Sequence, residues 1–334
     1  KLPKTISDYD YLSVSARIHA MENRLLTHDR MERMLEARTA EEAAKVLTEC
    51  GYQDLEDVTP VTIEGVLSAA RVALYKDLST AAPNPLLVDV FSMKYDYHNA
   101  KVLLKARAMD KDPAPLLMEA GRYPAKQLQE DFYKDDLRSV SELFRTALLS
   151  AADSLAQQGD PQLADFILDR AYFAEMLKTA EDVGSPFLTD YVKLSIDVAN
   201  LRATVRALRM KRDGEFLRKT LIPGGALSAD TLLSAASGSG DLAAAVGHGP
   251  LEAAAAAGAQ ALEGGSLTQF ERLCDNALNT YLASAKRVAF GPAPIIGYLY
   301  AREAEFTAIR IILTGRLAGL DSDILRERLR DAYV

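Results

Sequence analysis

The stretch Asn84-Pro-Leu-Leu-Val-Asp-Val-Phe-Ser-Met-Lys-Tyr-Asp-Tyr-His-Asn-Ala-Lys-Val-Leu-Leu-Lys105 carries a pattern that occurs three times in this chain. Pro85 heads it, an acid stands eleven residues on at Asp96, an amide at Asn99 and a base at Lys101. The same count from Pro186 lands on Asp197, Asn200 and Arg202, and from Pro294 on Glu305, Ala308 and Arg310. The register is gapless in all three copies, and the prolines stand 101 and 108 residues apart. The repeating unit is therefore about a hundred residues. Proline breaks a helix interior but suits its first turn, so each proline marks a helix start. Another apolar helical stretch precedes each of these helices, over 60–81, 160–182 and 266–289. The turns between them read Ala82-Pro83-Asn84-Pro85, Gly184-Ser185-Pro186 and Gly291-Pro292-Ala293-Pro294. Three long antiparallel helix pairs with short loops are predicted.

Outward from these pairs the chain stays helical. Val14, Ile18, Met21, Leu25 and Leu26 follow helical spacing, as do Leu67, Ala70, Leu74 and Leu78, and more loosely Ile196, Leu201, Val205 and Leu208. Period-2 strands and Asn-Gly or Asp-Gly hairpin turns are missing, so the fold class is all-α. Between the pairs, Thr39 with Glu42 and Ser139 with Glu142 read as capping boxes that start helices. Ser239 lies a further hundred residues on but is followed by Leu242, so the third copy has lost the box. Breaks are expected near Gly121, Pro223-Gly224-Gly225 and Gly319, and short, loosely held helices over 237–265. The chain divides into helical repeats 1–115, 116–215 and 216–334. Each repeat alone has a small core, so the three should pack together. Solenoid repeats are usually 33–47 residues, so a hundred-residue unit repeated three times suits a pseudo-threefold, funnel-shaped arrangement around a central opening.

Composition narrows the function. The 334 residues hold 39 Lys plus Arg against 47 Asp plus Glu, a net charge of −8, with no Trp. Clustered cations for phosphates and aromatic platforms for bases are both lacking, which argues against nucleic-acid binding. Cys50 and Cys274 form no C-x-x-C pair and read as reduced core thiols. Asp8, Asp10 and Arg17 interrupt any signal-peptide pattern, and the apolar stretch from Val288 to Ala301 is too short and too rich in proline and glycine to span a bilayer.

The segment 84–105 resembles the signature of the C subunit of the vacuolar/archaeal-type rotary ATPases, called the d subunit in vacuolar nomenclature. The opening Tyr11-Leu-Ser-Val-Ser-Ala-Arg17, followed by Arg24-Leu-Leu-Thr27, is similar to that family's first helix, and the tripled helices agree with its three-repeat architecture. The resemblance covers essentially the whole chain. It implies a non-catalytic rotor adaptor without cofactor, a funnel on the cytoplasmic face of the membrane-embedded proteolipid ring. The central-shaft subunits plug into that funnel, so torque passes between ring and shaft during proton or sodium transport. It also implies one copy per complex, and a monomer is expected in isolation. The rival reading is a generic helical scaffold for protein interaction with no link to an ATPase.

Motifs for chemistry are sparse. No Walker A is present, and Gly238-Ser-Gly-Asp-Leu-Ala243 lacks the strand that a dinucleotide site needs, so it reads as a linker. His19 and Glu22 share a helix face, and His98 is expected in a buried or interfacial hydrogen bond. No catalytic or metal-binding residue is selected. Asp96, Asn99, Lys101, Asp197, Asn200, Glu305 and Arg310 are expected to tie helices and repeats together. Lys101 lies five residues past Asp96, about 140° around the helix, and cannot pair with it. Arg202, Arg206 and Arg209 form one stripe, continued by Lys211 and Arg212. That stripe is either a solvated helix end or a docking strip for an acidic partner, and is the candidate partner interface. Arg326, Arg328 and Arg330 read as a solvated end.

Overall fold

The computed structural model describes residues 5–237 and 241–334. Among them there is no strand. The helices in chain order are α1 (Leu12–Met21), α2 (His28–Glu36), α3 (Ala40–Glu49), α4 (Pro60–Ala81), α5 (Leu86–Ala108), α6 (Ala125–Tyr133), α7 (Glu142–Gln158) and α8 (Pro161–Val183). They continue as α9 (Pro186–Arg209), α10 (Gly214–Thr220), α11 (Ala229–Ala236), α12 (Leu242–Val246), α13 (Glu252–Leu262), α14 (Leu267–Ala283), α15 (Pro292–Leu317) and α16 (Ser322–Arg328). The long helices fall where the repeat places them. Their starts follow cap chemistry: Thr59 and Asp160 accept backbone N–H bonds ahead of Pro60 and Pro161. The turn between α8 and α9 is minimal, because Gly184 closes α8 with φ +77° and Ser185-Pro186 opens the next helix at once.

Two local expectations are corrected. Pro294 is the third residue of its helix, which already begins at Pro292; proline is tolerated there because first-turn N–H groups lack intrahelical partners anyway. The cap of α7 is Ser141, whose Oγ accepts from Phe144 N at 3.2 Å, whereas Ser139 donates to Asp131. Burial of Val140 and Phe144 sets the later start. The Gly/Ala-rich segment forms short helices in its described part, and α13 packs inward. Gly258 of α13 sits where a Cβ would press on Val205, Phe270 and Leu242. Ser239 and the two glycines of the G-x-G motif, Gly238 and Gly240, lie outside the described residues.

Packing does not follow sequence order. α5 packs far more extensively on α8 than on α4, its neighbour across the short turn. The largest core joins α1–α4, the first half of α5, the end of α8, the start of α9, and α15 with α16. A second core runs from Tyr97 to Leu168, and a third gathers the second half of α9 with α12, α13 and α14. Cys50 and Cys274 are free and buried. No helix among the described residues is long and apolar enough to cross a membrane.

Candidate functional site

The repeated acids all accept backbone N–H groups from a segment outside their own helix pair. Asp96, fully buried, accepts from Arg122 N and Tyr123 N, both at 3.3 Å, and from Arg122 Nε at 2.6 Å. Asp197 accepts from Ala226 N at 3.1 Å and Leu227 N at 2.9 Å. Glu305 reaches back across the sequence to Leu26 N at 2.6 Å and to the Tyr52 hydroxyl. The amides act one turn further on. Asn99 donates to Met118 O and accepts from Met118 N, both at 2.8 Å, and Asn200 does the same with Ile222. Ala308 stands in that place on α15 and can do neither. Glycine accompanies the first two joints: a Cβ at Gly121 would fall on Asp96 Oδ1, and one at Gly225 on Asp197 Oδ1.

The repeated bases follow the same direction. Lys101 of α5 pairs with Asp169 of α8 at 2.6 Å. Arg202 of α9 pairs with Glu271 at 2.6 Å and with Asp275, both on α14. Arg310 of α15 pairs with Glu64 of α4, one of its contacts at 3.0 Å. Each second helix of a pair thus grips the first helix of the next pair, and α15 grips the first pair of all.

The three second helices also meet one another. Phe91 of α5 stacks on Tyr191 of α9 with centroids 5.5 Å apart, and Tyr191 meets Tyr300 of α15 edge-on at 6.2 Å. Beside them Glu303 accepts from Lys94 Nζ at 2.6 Å, Tyr75 OH at 2.5 Å and Tyr95 OH at 2.6 Å. Burial pushes Glu303 up, but Lys94 and the two phenols outweigh it and hold its carboxyl below the usual range. Elsewhere burial wins: Asp96 is pushed up to about 6 against the pull of Arg122, and Asp197 and Glu305 are raised as well. Arg122 divides its charge between Asp96 and Glu175, and Glu175, bonded also by Tyr97 and Ser141, is held low.

These contacts organise a helical body. The profile of the ATP synthase (C/AC39) subunit family matches residues 14–328. The chain belongs to that family. The C subunit of the V-type sodium ATPase of Enterococcus hirae is 25% identical over 325 residues, covering 97% of this chain and 99% of the relative. The C subunit of the A-type ATP synthase of Methanocaldococcus jannaschii is 25% identical over 347 residues, covering 96% and 86%. That of a Desulfurococcus strain is 27% identical over 244 residues, covering 68% and 65%. This C/AC39 chain is accordingly a subunit of a V/A-type ATPase complex, and its link to ion transport follows from that complex.

Within this C/AC39 chain the sequence-predicted residues sort clearly. Asp96, Asn99, Lys101, Asp197, Asn200, Glu305 and Arg310 all bond to elements outside their own helices. Of the basic stripe, Arg202 is turned to Glu271 and Asp275, Arg206 is exposed but shares Glu271, and Arg209 is exposed. His98 is exposed, and its Nε2 makes an inter-segment hydrogen bond of the interfacial kind expected, 3.0 Å from Leu116 O. Of the C-terminal arginines Arg328 is exposed, as expected of a solvated end, whereas Arg326 pairs with Glu32 at 2.9 Å and Arg330 with Asp275 at 2.7 Å. His19 contacts Glu22 at 3.3 Å and Val288 O at 3.1 Å. Sequence reasoning missed Glu303, Tyr75, Tyr95, Arg122 and Glu175. Gly121 and Gly225 were read only as breaks, yet each precedes the donor to a repeated acid, a signal the repeat itself contained.

Proposed function

We propose that this subunit is the non-catalytic rotor adaptor of its ATPase, a socket that joins the central-shaft subunits to the proteolipid ring and carries torque between them. In this reading units 1–115, 116–215 and 216–334 close around a pseudo-threefold axis as a funnel. One monomeric copy sits on the cytoplasmic face of the membrane through the complex. The observation that carries it is the head-to-tail relay of contacts. Unit one grips unit two through Asp96, Asn99 and Lys101, and unit two grips unit three through Asp197, Asn200 and Arg202. Unit three grips unit one through Glu305 and Arg310. An open solenoid would leave its first and last units apart; a relay that returns to its start supports a closed body. Closure suits torque transmission, because a closed body resists shear that would peel an open one. Arg206 and Arg209 are the exposed cations we assign to a partner face, with Arg202 behind them. Capture of the organism's shaft subunits by this chain at micromolar concentration, with the ring in a parallel lane, is the expected result. Failure to capture either would refute the socket.

A further inference from the structure

The second helix of each pair ends on the same backbone frame. Asp110, Lys211 and Gly319, each twenty-five residues past its proline, close α5, α9 and α15 with φ +51°, +54° and +72°. The residue after each, Lys111, Arg212 and Leu320, donates its N–H to the carbonyl five back, at Ala106, Ala207 and Gly315, each at 2.9 Å. Side chains set the three ends apart. Over the same register, 105–118, 206–219 and 314–327, the net charges are +1, +4 and −1. The excess at the second end is Arg206, Arg209, Lys211, Arg212, Arg218 and Lys219 against Asp213 and Glu215, in a chain whose net charge is −8. All six cations are exposed. Arg206 shares Glu271 and Arg212 lies 5.0 Å over the Phe216 ring, while Arg209, Lys211, Arg218 and Lys219 have no ion-pair partner among the described residues. Met210 stands among them, 56% exposed. Lysine is disfavoured at positive φ, where unit three has glycine, so Lys211 holds its charge there against local preference.

The fold gathers this charge. Leu217 and Leu221, at the end of α10, share a small core with Ala207 and Leu232. Phe216 meets Phe166 of α8 edge-on at 5.9 Å, and Arg170 of α8 donates to Lys219 O at 3.2 Å and Leu221 O at 3.0 Å. The apolar face of α10 is thus spent inside the molecule. A lipid surface would need such a face to insert, whereas Arg and Met are enriched at protein interfaces and the guanidinium fork matches carboxylates. We propose that the end of unit two docks an acidic segment of the central shaft, and that its charge, lacking at the other two ends, fixes one rotational register of the shaft on the socket. The inference rests on the socket reading above. Asn84, Gly184 and Phe290 line one cavity, so the three turns gather at one end. Past Tyr97 and Leu194, α5 and α9 enter separate cores, so their far ends splay apart on the side left for the shaft. A shaft facing three equal ends would have three equal registers; one marked end leaves a single favoured register.

The test measures capture of the organism's purified shaft subunits by the full chain over a range of salt. The triple variant Arg209→Glu, Lys211→Glu, Arg218→Glu should lose affinity about tenfold and flatten the salt dependence. The variant Lys111→Glu, Lys126→Glu, Lys134→Glu makes the same change of net charge on exposed lysines of units one and two away from this end, and should stay within about threefold of the natural chain. Thermal melts show that both fold. A benzophenone-bearing residue at Met210 should cross-link one acid-rich shaft segment that the same residue at Met109, the equivalent place in unit one, does not reach. Equal loss in both triple variants, or one shaft segment cross-linked from both places, would overturn the proposal. Capture by the natural chain that the first variant leaves unchanged would overturn the dock alone, and no capture by the natural chain would overturn the socket reading with it. Binding to phosphatidylserine vesicles that the first variant loses while its shaft capture stays intact would assign the patch to a membrane and overturn the dock.

Discussion

Truncation of Asn200 to Ala isolates the energy of one joint. Asn200 is 2% exposed and makes two 2.8 Å hydrogen bonds to the backbone of Ile222. Removing the amide leaves an N–H and a C=O with no partner, worth about 1–3 kcal/mol each when buried. Ile222 is only partly buried, so water recovers some of this and the lower end applies, for a total of about 2–3 kcal/mol. An unfolding entropy of about 2.1 cal/mol/K per residue over 334 residues gives roughly 0.7 kcal/mol/K, so the midpoint should drop about 3–4 °C. Differential scanning calorimetry reads the shift, and amide hydrogen exchange at Ile222 reads the local opening, which should accelerate roughly in step. A midpoint within about a degree of the natural chain, together with unchanged protection at Ile222, would refute the idea that the amide holds the joint.

Gly225→Ala should destabilise by more than about 2 kcal/mol, because its Cβ lands on Asp197 Oδ1, whereas Gly65→Ala, in α4 with open space around it, should stabilise by about 0.5–1 kcal/mol; urea midpoints separate them. Exchanging Arg310 and Glu64 should restore most of what either single reversal loses, but the pair is roughly half exposed, so a double-mutant cycle should return less than about 1 kcal/mol. Asp96 has a folded pKa raised from 3.8 to about 6, so between these values the native state holds more protons than the unfolded chain. Its contribution therefore makes stability rise as pH falls from about 7 toward 4, by at most about 3 kcal/mol, and Asp96→Asn should remove that slope; denaturant midpoints at pH 7 and pH 5 measure it.

The repeat was readable because its residues obey two separate local rules. Proline must stand in a helix's first turn, and a polar side chain on a buried helix face needs a fixed partner, so acid, amide and base keep one register in Asp96, Asn99 and Lys101 and again in Asp197, Asn200 and Arg202. Helix starts that depend on tertiary burial were less readable. Ser139 and Ser141 are equally good caps by chemistry, and packing of Val140 and Phe144 chose between them. The role of the basic stripe was illegible for a similar reason. Whether Arg202 faces solvent or Glu271 depends on where α14 lies, which no spacing along α9 encodes.

The sequence by itself determined an all-α chain, the places of its long helices and the family, because helix propensity, caps and apolar period act within a few residues of one another. Only the tertiary structure decided that α5 packs chiefly on α8, that Glu305 returns to Leu26, and that Lys94 pairs with Glu303. Those contacts join residues up to 279 positions apart, and their partners are selected by burial and charge satisfaction in a common core rather than by any pattern along the chain.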